Sequence, residues 1–325
     1  MFGWGPSIDI NTHETLVAFV KGVKVMTLRD PADGPSEIPG QYQSPGIPIY
    51  VNASTGDDLN SGLGIITAKK SINGALAAAV SGRGDVILVQ PGTYAENVLV
   101  TKDAVTIIGS VNGGYERPDV QPASGVALEV KAQGFVAIHM RFAATAADGV
   151  IQRGNGFNYI DCVFDGDGTA NKAGVRLQGL NTNHKLTASE GRIQDCLFRG
   201  CAKGLIFDSA AGPDNGVGST DNYIVKNRFY SNTIDITAEK SGAGGAYSVQ
   251  LVNILENSFE DKNKAVYIDI ITNEDGPAAS QSGTIMGNRV AKTTAVTNAN
   301  IKINGTGITY VGNYDATGIT NGGAF

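Results

Sequence analysis

The chain has 325 residues, a formal net charge of -6, 42% hydrophobic residues and 43 glycines. This acidic balance gives no electrostatic basis for binding DNA or RNA, so we expect no nucleic-acid partner. The glycines follow no three-residue period, which excludes a collagen and indicates a chain with many turns.

The beginning of the chain predicts synthesis in a cytoplasm without a signal peptide. Residues 1–6 carry no basic group, and no apolar run follows them. No stretch of about 18 apolar residues could span a bilayer, so we expect no membrane insertion. The cysteines form no CxxC pair, which is typical of a protein made in a reducing compartment.

Residues 1–48 are predicted to be an N-terminal arm. Residues 15–20 and 23–28 have the pattern of two short strands, and the prolines of residues 31–48 favour an extended linker. A two-stranded ribbon is marginal by itself in water, so we expect the arm to dock to a partner protein by strand addition. The candidate anchoring residues are the apolar side chains Trp4, Leu16, Phe19, Val23, Val25 and Leu28.

The segment after the arm predicts a short helix at about residues 68–80, between a strand at 49–52 and another at 84–89. The apolar residues of this helix recur at the spacing that places them on one face. A stack of strands ends in an exposed edge, which a covering helix would protect. We therefore expect the helix to cap the first coil of a solenoid.

From residue 157 onward one short motif recurs, in which Cys or Asn is followed, in most copies, by a large apolar residue two positions later. The Cys or Asn positions are separated by 34, 31, 30, 31 and 25 residues. Each copy continues into a second short, alternating strand, with no helical period and no tight hairpin turn. Repeats of this kind predict parallel pairing between the successive coils of a solenoid.

Stacked coils would align the repeated side chains in columns. Equivalent positions of neighbouring parallel strands lie about 4.8 Å apart. The Asn side chains would then form an amide ladder, in which Cys is a small substitute in the earlier coils, and the apolar residues would form an aromatic stack. The ladder positions are Cys162, Cys196, Asn227, Asn257, Asn288 and Asn313, and the stacked rings are Phe164, Phe198, Phe229 and Phe259.

Two segments carry a resemblance to a known family. The Tyr-Val strand and Gly-rich turn of residues 49–62, and residues 84–94 with their terminal Pro-Gly-Thr-Tyr, are similar to the N-terminal cap of the pectate-lyase-like right-handed β-helix superfamily. The resemblance implies an all-β fold, a right-handed single-stranded parallel β-helix of about nine coils over residues 49–325, with a capping helix behind the extended arm. The superfamily includes lyases, hydrolases, epimerases, adhesins and bacteriophage tail and capsid proteins, so the fold does not determine the function.

The resemblance also directs attention to the charged residues that a polysaccharide-cleaving member would need. Asp161, Asp165 and Asp167 cluster around one turn. Arg176 follows on a nearby strand, and these four are the candidate catalytic residues if the chain is an enzyme. The sequence Asp-Gly-Asp-Gly at 165–168 is more typical of a structural turn. The residue set of polygalacturonase-type hydrolases is missing, since none of the three histidines is flanked by glycines.

The sequence therefore favours a non-enzymatic structural protein of a bacteriophage virion, either a capsid decoration protein or a tail spike. We expect a homotrimer that docks to another virion protein through residues 1–48, with a host surface glycan as a further candidate ligand. No cofactor and no metal site are predicted, because the Asp58-x-Asn60-x-Gly62 turn lacks the remaining ligands of a calcium loop. The alternatives are a polysaccharide-degrading enzyme, such as a phage depolymerase, lyase or hydrolase, and a surface adhesin.

Overall fold

The computed structural model divides the chain into two compact units, Met1–Pro45 and Gly46–Phe325. In the first unit, β1 (Leu16–Val20) and β2 (Val23–Leu28) form an antiparallel pair. Five of the candidate anchoring residues lie on these strands, and Trp4 lies outside the described residues. The described residues are 16–20 and 23–28, as backbone, and 46–110, 116–179, 186–209, 219–240, 251–261, 264–270, 282–291, 300–303, 307–315 and 318–320.

The second unit consists of three stacked sheets. The strands of the first sheet are β3 (Pro48–Val51), β4 (Val86–Val89), β7 (Thr106–Gly109), β10 (Val136–Ile138), β13 (Asn158–Ile160), β16 (Arg192–Gln194), β19 (Tyr223–Val225), β22 (Val252–Leu255), β25 (Ser282–Met286) and β28 (Gly307–Val311). Those of the second are β5 (Thr93–Tyr94), β8 (Asp119–Val120), β11 (Arg141–Ala143), β14 (Val163–Asp165), β17 (Leu197–Arg199), β20 (Arg228–Tyr230), β23 (Ser258–Phe259), β26 (Arg289–Val290), β29 (Asn313–Asp315) and β30 (Gly318–Thr320). Those of the third are β6 (Val98–Val100), β9 (Leu128–Val130), β12 (Val150–Gln152), β15 (Ala173–Gln178), β18 (Lys203–Ser209), β21 (Ile234–Lys240), β24 (Ile268–Ile270) and β27 (Ile301–Ile303).

The chain visits the first, second and third sheet in turn and then begins the next coil. Neighbouring strands pair in parallel, and among the described strands of this unit only the final pair of the second sheet, β29 with β30, is antiparallel. This winding is a parallel β-helix, so the predicted fold class is confirmed. One α-helix occurs in the part of the chain that the structure describes.

The core lies between the three sheets and consists of columns of like side chains. On the first sheet most inward positions are fully buried aliphatic residues such as Ile107, Ile193 and Ile254. On five successive strands of the second sheet they are aromatic rings. The rings of Phe142, Phe164, Phe198, Phe229 and Phe259 follow one another at centroid distances of 6.0, 4.8, 4.6 and 5.1 Å. The column thus contains the four predicted rings and Phe142, which lies one coil before the recurring motif.

The corner between the first and second sheets depends on one residue with a left-handed backbone. In three successive coils this residue is Asp195, Lys226 or Glu256, with φ of 54°, 57° and 55°. In the next two coils it is Gly287 and Gly312, with φ of 67° and 61°. A residue with a Cβ atom loses about 1–2 kcal/mol in this region, so contacts around the corner must hold it there.

The first coil is covered by the helix α1 (Ile72–Ala78), whose buried face includes Ile72, Ala75 and Leu76. The helix is shorter than the predicted 68–80. At its start Lys69 forms a parallel bridge with Val51, and at its end the backbone of Ala79 is already extended. No helix in the described ranges is long and apolar enough to cross a membrane.

The N-terminus of α1 is held by side-chain acceptors. The hydroxyl of Ser71 accepts a hydrogen bond from the N–H of Gly74 at 2.9 Å. The carboxylate of Glu96 accepts from the N–H groups of Ile72 and Asn73, at 2.7 and 3.0 Å. These bonds satisfy donors that a helix leaves free at its beginning, and the negative charge complements the helix dipole.

Replacing Phe198 with alanine is expected to lower the free energy of unfolding by about 3–5 kcal/mol, because it opens a cavity in the aromatic column. Chemical denaturation followed by circular dichroism measures this loss. The matched control is Tyr230→Ala, since Tyr230 points outward on the next strand of the same sheet and is 47% exposed. The control should lose less than about 1 kcal/mol. Equal losses in the two variants would contradict the role given to the column.

Candidate functional site

The four asparagines of the recurring motif lie directly after the left-handed corner residues, on successive coils. Nδ2 of Asn227 donates to Oδ1 of Asn257, and Nδ2 of Asn257 donates to Oδ1 of Asn288, both at 3.0 Å. The last rung, from Asn288 to Asn313, measures 2.8 Å. The same Oδ1 atoms also accept from the backbone N–H of the preceding Asn at 2.8–3.0 Å. Each buried amide therefore satisfies the backbone of a corner as well as its own polar atoms.

Cys162 and Cys196 occupy this column in the two coils before Asn227. The N–H of Cys196 donates to Oδ1 of Asn227 at 2.9 Å, and the N–H of Cys162 donates to Sγ of Cys196 at 3.3 Å. Burial raises the pKa of the Cys196 thiol well above its ordinary value. The thiol therefore stays protonated and contributes as a packed group rather than as a nucleophile.

Cys201 lies at a different corner, between the second and third sheets. Its N–H donates to Oδ1 of Asn232 at 2.9 Å, and burial raises the pKa of its thiol to about 12. It is a free thiol, as are the other two cysteines. The chain thus uses the same device, an asparagine carbonyl that holds a corner N–H, at two edges of the helix.

Asp165, a candidate catalytic residue, is held between two arginines on the outer face of the second sheet. One carboxylate oxygen accepts from Nε of Arg199 at 2.7 Å, and the other accepts from Nη2 of Arg199 at 2.7 Å and Nε of Arg141 at 2.6 Å. Burial acts to raise the pKa of Asp165, but the hydrogen bonds and charges of the two arginines outweigh it and lower the pKa. Asp165 is therefore a carboxylate held charged by structural contacts.

Asp161 and Asp167 have other partners than the two arginines that hold Asp165. Asp161 forms a salt bridge with Arg117, and its other oxygen lies 3.7 Å from Nδ1 of His139. Asp167 accepts from the N–H groups of Ala146 and Thr169 at 2.8 and 3.0 Å. A hydrogen bond from the Thr169 side chain, followed by the bonds from these two N–H groups, lowers the pKa of Asp167. Asp167 therefore stabilises a turn, as the Asp-Gly-Asp-Gly sequence of residues 165–168 indicates.

Arg176, the fourth candidate catalytic residue, lies on the third sheet among carboxylates. Its guanidinium contacts Asp148 and Asp208, each at 2.8 Å, and Glu239 at 3.5 Å. Burial acts to lower the pKa of Arg176, but Asp148 and Asp208 raise it beyond its ordinary value. A guanidinium in this setting cannot act as a base. The structure therefore places Asp161, Asp165 and Arg176 in separate ion-pair networks and Asp167 in a hydrogen-bonded turn, rather than all four in one site.

A groove of about 520 Å³ runs along the outer face of the second sheet. A cavity of about 380 Å³ adjoins it, beside Asp165 and Asp167. The lining residues of the groove include Thr93, Arg117, Asp119, Arg141, Val163, Leu197 and Arg199. Asp119, Arg141 and Arg199 were not among the residues predicted from the sequence. The sequence feature that could have identified them is their position, since each lies next to an inward apolar residue of a short strand and so faces outward.

Asp119 and Asp165 differ in protonation behaviour although Arg141 bridges them. Burial raises the pKa of Asp119, Arg141 opposes this rise, and the charge of Asp165 adds to it. Opposite shifts in two nearby carboxylates are a feature of acid–base pairs. Here, however, both oxygens of Asp165 are engaged by guanidinium groups, which leaves the pair without an available base. Among the described residues, no three His, Cys, Asp or Glu side chains are placed to hold a metal ion.

Several solved structures are similar to this chain. They include pectin methylesterase from Aspergillus niger, with 13% identity over 85% of this chain and 87% of that chain and a TM-score of 0.42. Pectate lyase Pel9A shows 12% identity over 83% and 76%, with a TM-score of 0.46. ORF18 of Geobacillus virus E2 shows 12% identity over 83% and 60%, with a TM-score of 0.40. No protein-family model matches the chain, and no curated protein matches it. At these identities and TM-scores the likeness carries no argument about function.

Replacing Asn257 with alanine is expected to lower the free energy of unfolding by about 3 kcal/mol or more. The change leaves the N–H of Asn227 buried without its acceptor, which costs about 1–3 kcal/mol, and it also removes the bonds to Nδ2 of Asn227 and to the carbonyl of Ile224, worth about 1 kcal/mol each. Asn257→Asp should also destabilise, because a carboxylate can accept but cannot donate along the column. The control is Asn253→Ala on β22, the strand that precedes this corner, where the amide is half-buried and bonds locally. A small effect at Asn257 would contradict the role of the ladder.

Asp165→Asn is expected to lower the free energy of unfolding at pH 7 by about 1.5–3 kcal/mol, the range for hydrogen bonds to charged groups. The pKa of Asp165 is lower in the folded chain than the ordinary 3.8. Its contribution is therefore complete above about pH 4 and is lost as the pH falls through the folded-state pKa. Denaturation curves of both proteins between pH 7 and pH 2 should converge at the acid end. A difference that does not change with pH would contradict this assignment.

Proposed function

We propose that this chain is a non-enzymatic structural protein of a bacteriophage virion, a capsid decoration protein or a tail spike. In this proposal it acts as a homotrimer of parallel β-helices docked to another virion protein through its N-terminal arm. It would be made in the host cytoplasm and located in the virion. A surface glycan of the host is a further candidate ligand.

The observation that supports this proposal is the use of the charged and polar groups for structure rather than chemistry. The amide column is uninterrupted from Asn227 to Asn313, and its upper end is continued by cysteine sulfur. The candidate carboxylates Asp161, Asp165 and Asp167 all hold arginines or backbone N–H groups. A helix built in this way resists deformation along its whole length, which suits a protein that must persist outside a cell.

The arm supports the docking part of the proposal. Among the described residues, β1 and β2 form an antiparallel sheet of two strands. A hairpin of this size is marginal in water, and a partner strand could add to its edge. A strand of a partner protein added to this hairpin would attach the chain firmly to the virion, and such attachment needs no catalytic site.

Removal of the arm is expected to abolish attachment to the phage particle while leaving the β-helix folded. The deletion should end at Pro45, because the carbonyl of Ile47 accepts from the N–H of Val86 at 3.1 Å and Pro48 begins β3. Cosedimentation with particles that lack the chain measures attachment, and thermal unfolding by circular dichroism checks the fold. The intact chain is the control. Attachment that survives the deletion would contradict docking through the arm.

The intact chain should sediment as a trimer of about 101 kDa, three times the 33.7 kDa of one chain. A monomer at high concentration would contradict the trimer.

The enzyme alternative has its own readout, the release of reducing ends from acidic polysaccharides. Release that is lost in Asp165→Asn and in Asp119→Asn, but kept in Asp167→Asn, would replace the structural proposal with the enzymatic one.

A further inference from the structure

A buried ion pair joins two successive coils at the third sheet. Asp235 lies on β21, and Lys264 lies on the following coil, shortly before β24. Nζ of Lys264 donates to Oδ1 of Asp235 at 2.6 Å, and the two side chains are 6% and 0% exposed. Opposite charges buried this deeply lose free energy by desolvation, which their attraction offsets only when further hydrogen bonds satisfy both groups.

The carboxyl group of Asp235 is only partly satisfied. Its Oδ1 accepts from Nδ2 of Asn232 at 3.0 Å as well as from Lys264, whereas its buried Oδ2 accepts no hydrogen bond within the described ranges. Burial raises the pKa of Asp235 to about 6, although Lys264 and Asn232 oppose the rise, and the charge of Asp261 adds to it. The neutral form of the pair, a carboxylic acid beside an amine, is therefore more accessible here than in water.

A second carboxylate reaches the same nitrogen. Oδ2 of Asp261 lies 2.9 Å from Nζ of Lys264, and it accepts no hydrogen bond in the part of the chain that the structure describes. Oδ1 of Asp261 accepts from the N–H of Ser231 at 3.0 Å, which fixes this carboxylate beside the pair. Asp261 is placed to take a proton from the ammonium group and, at 22% exposure, to exchange it with solvent.

Aromatic rings enclose the three charged groups from the core side. The ring of Tyr267 is fully buried, and its centroid lies 5.7 Å from Nζ of Lys264 and 6.2 Å from the ring centroid of Phe259. The hydroxyl of Tyr267 donates to the backbone carbonyl of Asp261 at 2.7 Å, so the ring and the acid are held together. An apolar wall of this kind favours the neutral forms of an acid and an amine over their ions.

These contacts bring an amine, a carboxyl carbon and a proton acceptor together. A distance of 2.6 Å from Nζ to Oδ1 places Nζ about 3–3.5 Å from Cγ of Asp235, which is the range of near-attack geometries. We propose that Lys264 and Asp235 form an intramolecular isopeptide bond between neighbouring coils, with Asp261 as the proton acceptor. This covalent link goes beyond the virion role and does not depend on it.

The reaction is a condensation that releases one water and needs no other reactant. Lys264 first passes a proton through Asp261 to Oδ2 of Asp235, which leaves a neutral amine and a carboxylic acid. The amine lone pair then forms the Nζ–Cγ bond, and Nδ2 of Asn232 donates to Oδ1 as negative charge develops on it. Asp261 takes a second proton from Nζ and delivers it to Oδ2, the Cγ–Oδ2 bond breaks, and water leaves.

The folded chain favours the linked product for two reasons. A neutral amide replaces two buried charges, and the reacting groups are already held in position. The bond closes a loop that spans one coil, so it restricts the unfolded chain in the way that a disulfide does. The three cysteines of this chain are free thiols and supply no such link.

The mass of the intact, denatured chain tests the bond directly. We expect the purified protein to be lighter than its sequence by one water. Trypsin should then yield a branched peptide in which residues 229–240 are joined to residues 263–289, because trypsin does not cleave after a modified Lys264. Fragmentation of this peptide should locate the link at Asp235 rather than at Glu239.

The salt bridge between Lys203 and Glu239 is a matched control in the same digest. It also joins neighbouring strands of the third sheet, but its side chains are 17% and 25% exposed, and Glu239 is shared with Arg176 at 3.5 Å. This more solvated pair should stay unlinked. A link through Lys203 as frequent as the link through Lys264 would contradict the role given to the buried site.

Two variants assign the reacting groups. Lys264→Arg keeps the positive charge but cannot form the amide, so it should have the full mass of its sequence. Asp261→Asn keeps an acceptor for the N–H of Ser231 but cannot carry protons, so the link should form at least about tenfold more slowly. Thermal unfolding followed by circular dichroism shows whether each variant is folded, and the wild-type mass decides the question if a variant is not.

The outcomes are distinct. The full sequence mass in the folded wild-type chain overturns the isopeptide bond, as does a loss of water that persists in Lys264→Arg. Formation of the link at an unchanged rate in Asp261→Asn overturns the role of Asp261 as proton acceptor. The branched peptide in the wild type, together with its absence in Lys264→Arg, supports the inference.

Discussion

The hydrogen bond from one asparagine amide to the next is the interaction on which the rest of the structure depends. It fixes the same residue at the same corner in successive coils, and it holds corner residues whose backbone would otherwise relax. A slip of one residue in any strand would turn its inward side chains outward. The amide column prevents this slip from one side, and the column of Phe rings prevents it from the other. The register in turn decides which residues appear on each outer face.

The register also explains the charge distribution. On the second sheet, Asp119, Arg141, Asp165 and Arg199 alternate in sign from coil to coil, so that Arg141 lies between two carboxylates and Asp165 lies between two guanidinium groups. Arg176 has the same position among Asp148, Asp208 and Glu239 on the third sheet. Like charges at a separation of one strand spacing would repel, so alternation is the arrangement that a stacked solenoid tolerates. Such networks resemble candidate active sites in the sequence, because they place acidic and basic residues close together on one face.

Parts of this structure follow directly from the sequence, while others require the coordinates. The spacing of Asn227, Asn257 and Asn288 was enough to predict a column, because each coil returns to the same corner after a nearly constant length. The capping helix was predicted to begin at about residue 68. It begins at Ile72, because Lys69 forms a β-bridge with Val51. The partners of Arg176 were missed because loops of unequal length separate the third sheet from the next coil. Without the register of that sheet, sequence proximity to Asp165 and Asp167 suggested a site that the fold does not assemble.

The parallel pairing without register shifts has a consequence for how such a chain can change over evolutionary time. Each coil ends at the corner where the next begins, in the same orientation and about 4.8 Å further along. A duplication or loss of one whole coil, roughly thirty residues, would restore every column on both sides of the change. An insertion or deletion of one or two residues inside a strand would shift the register and disrupt every column. Length in this fold is therefore expected to vary in whole coils, and related chains should differ by multiples of a single rung.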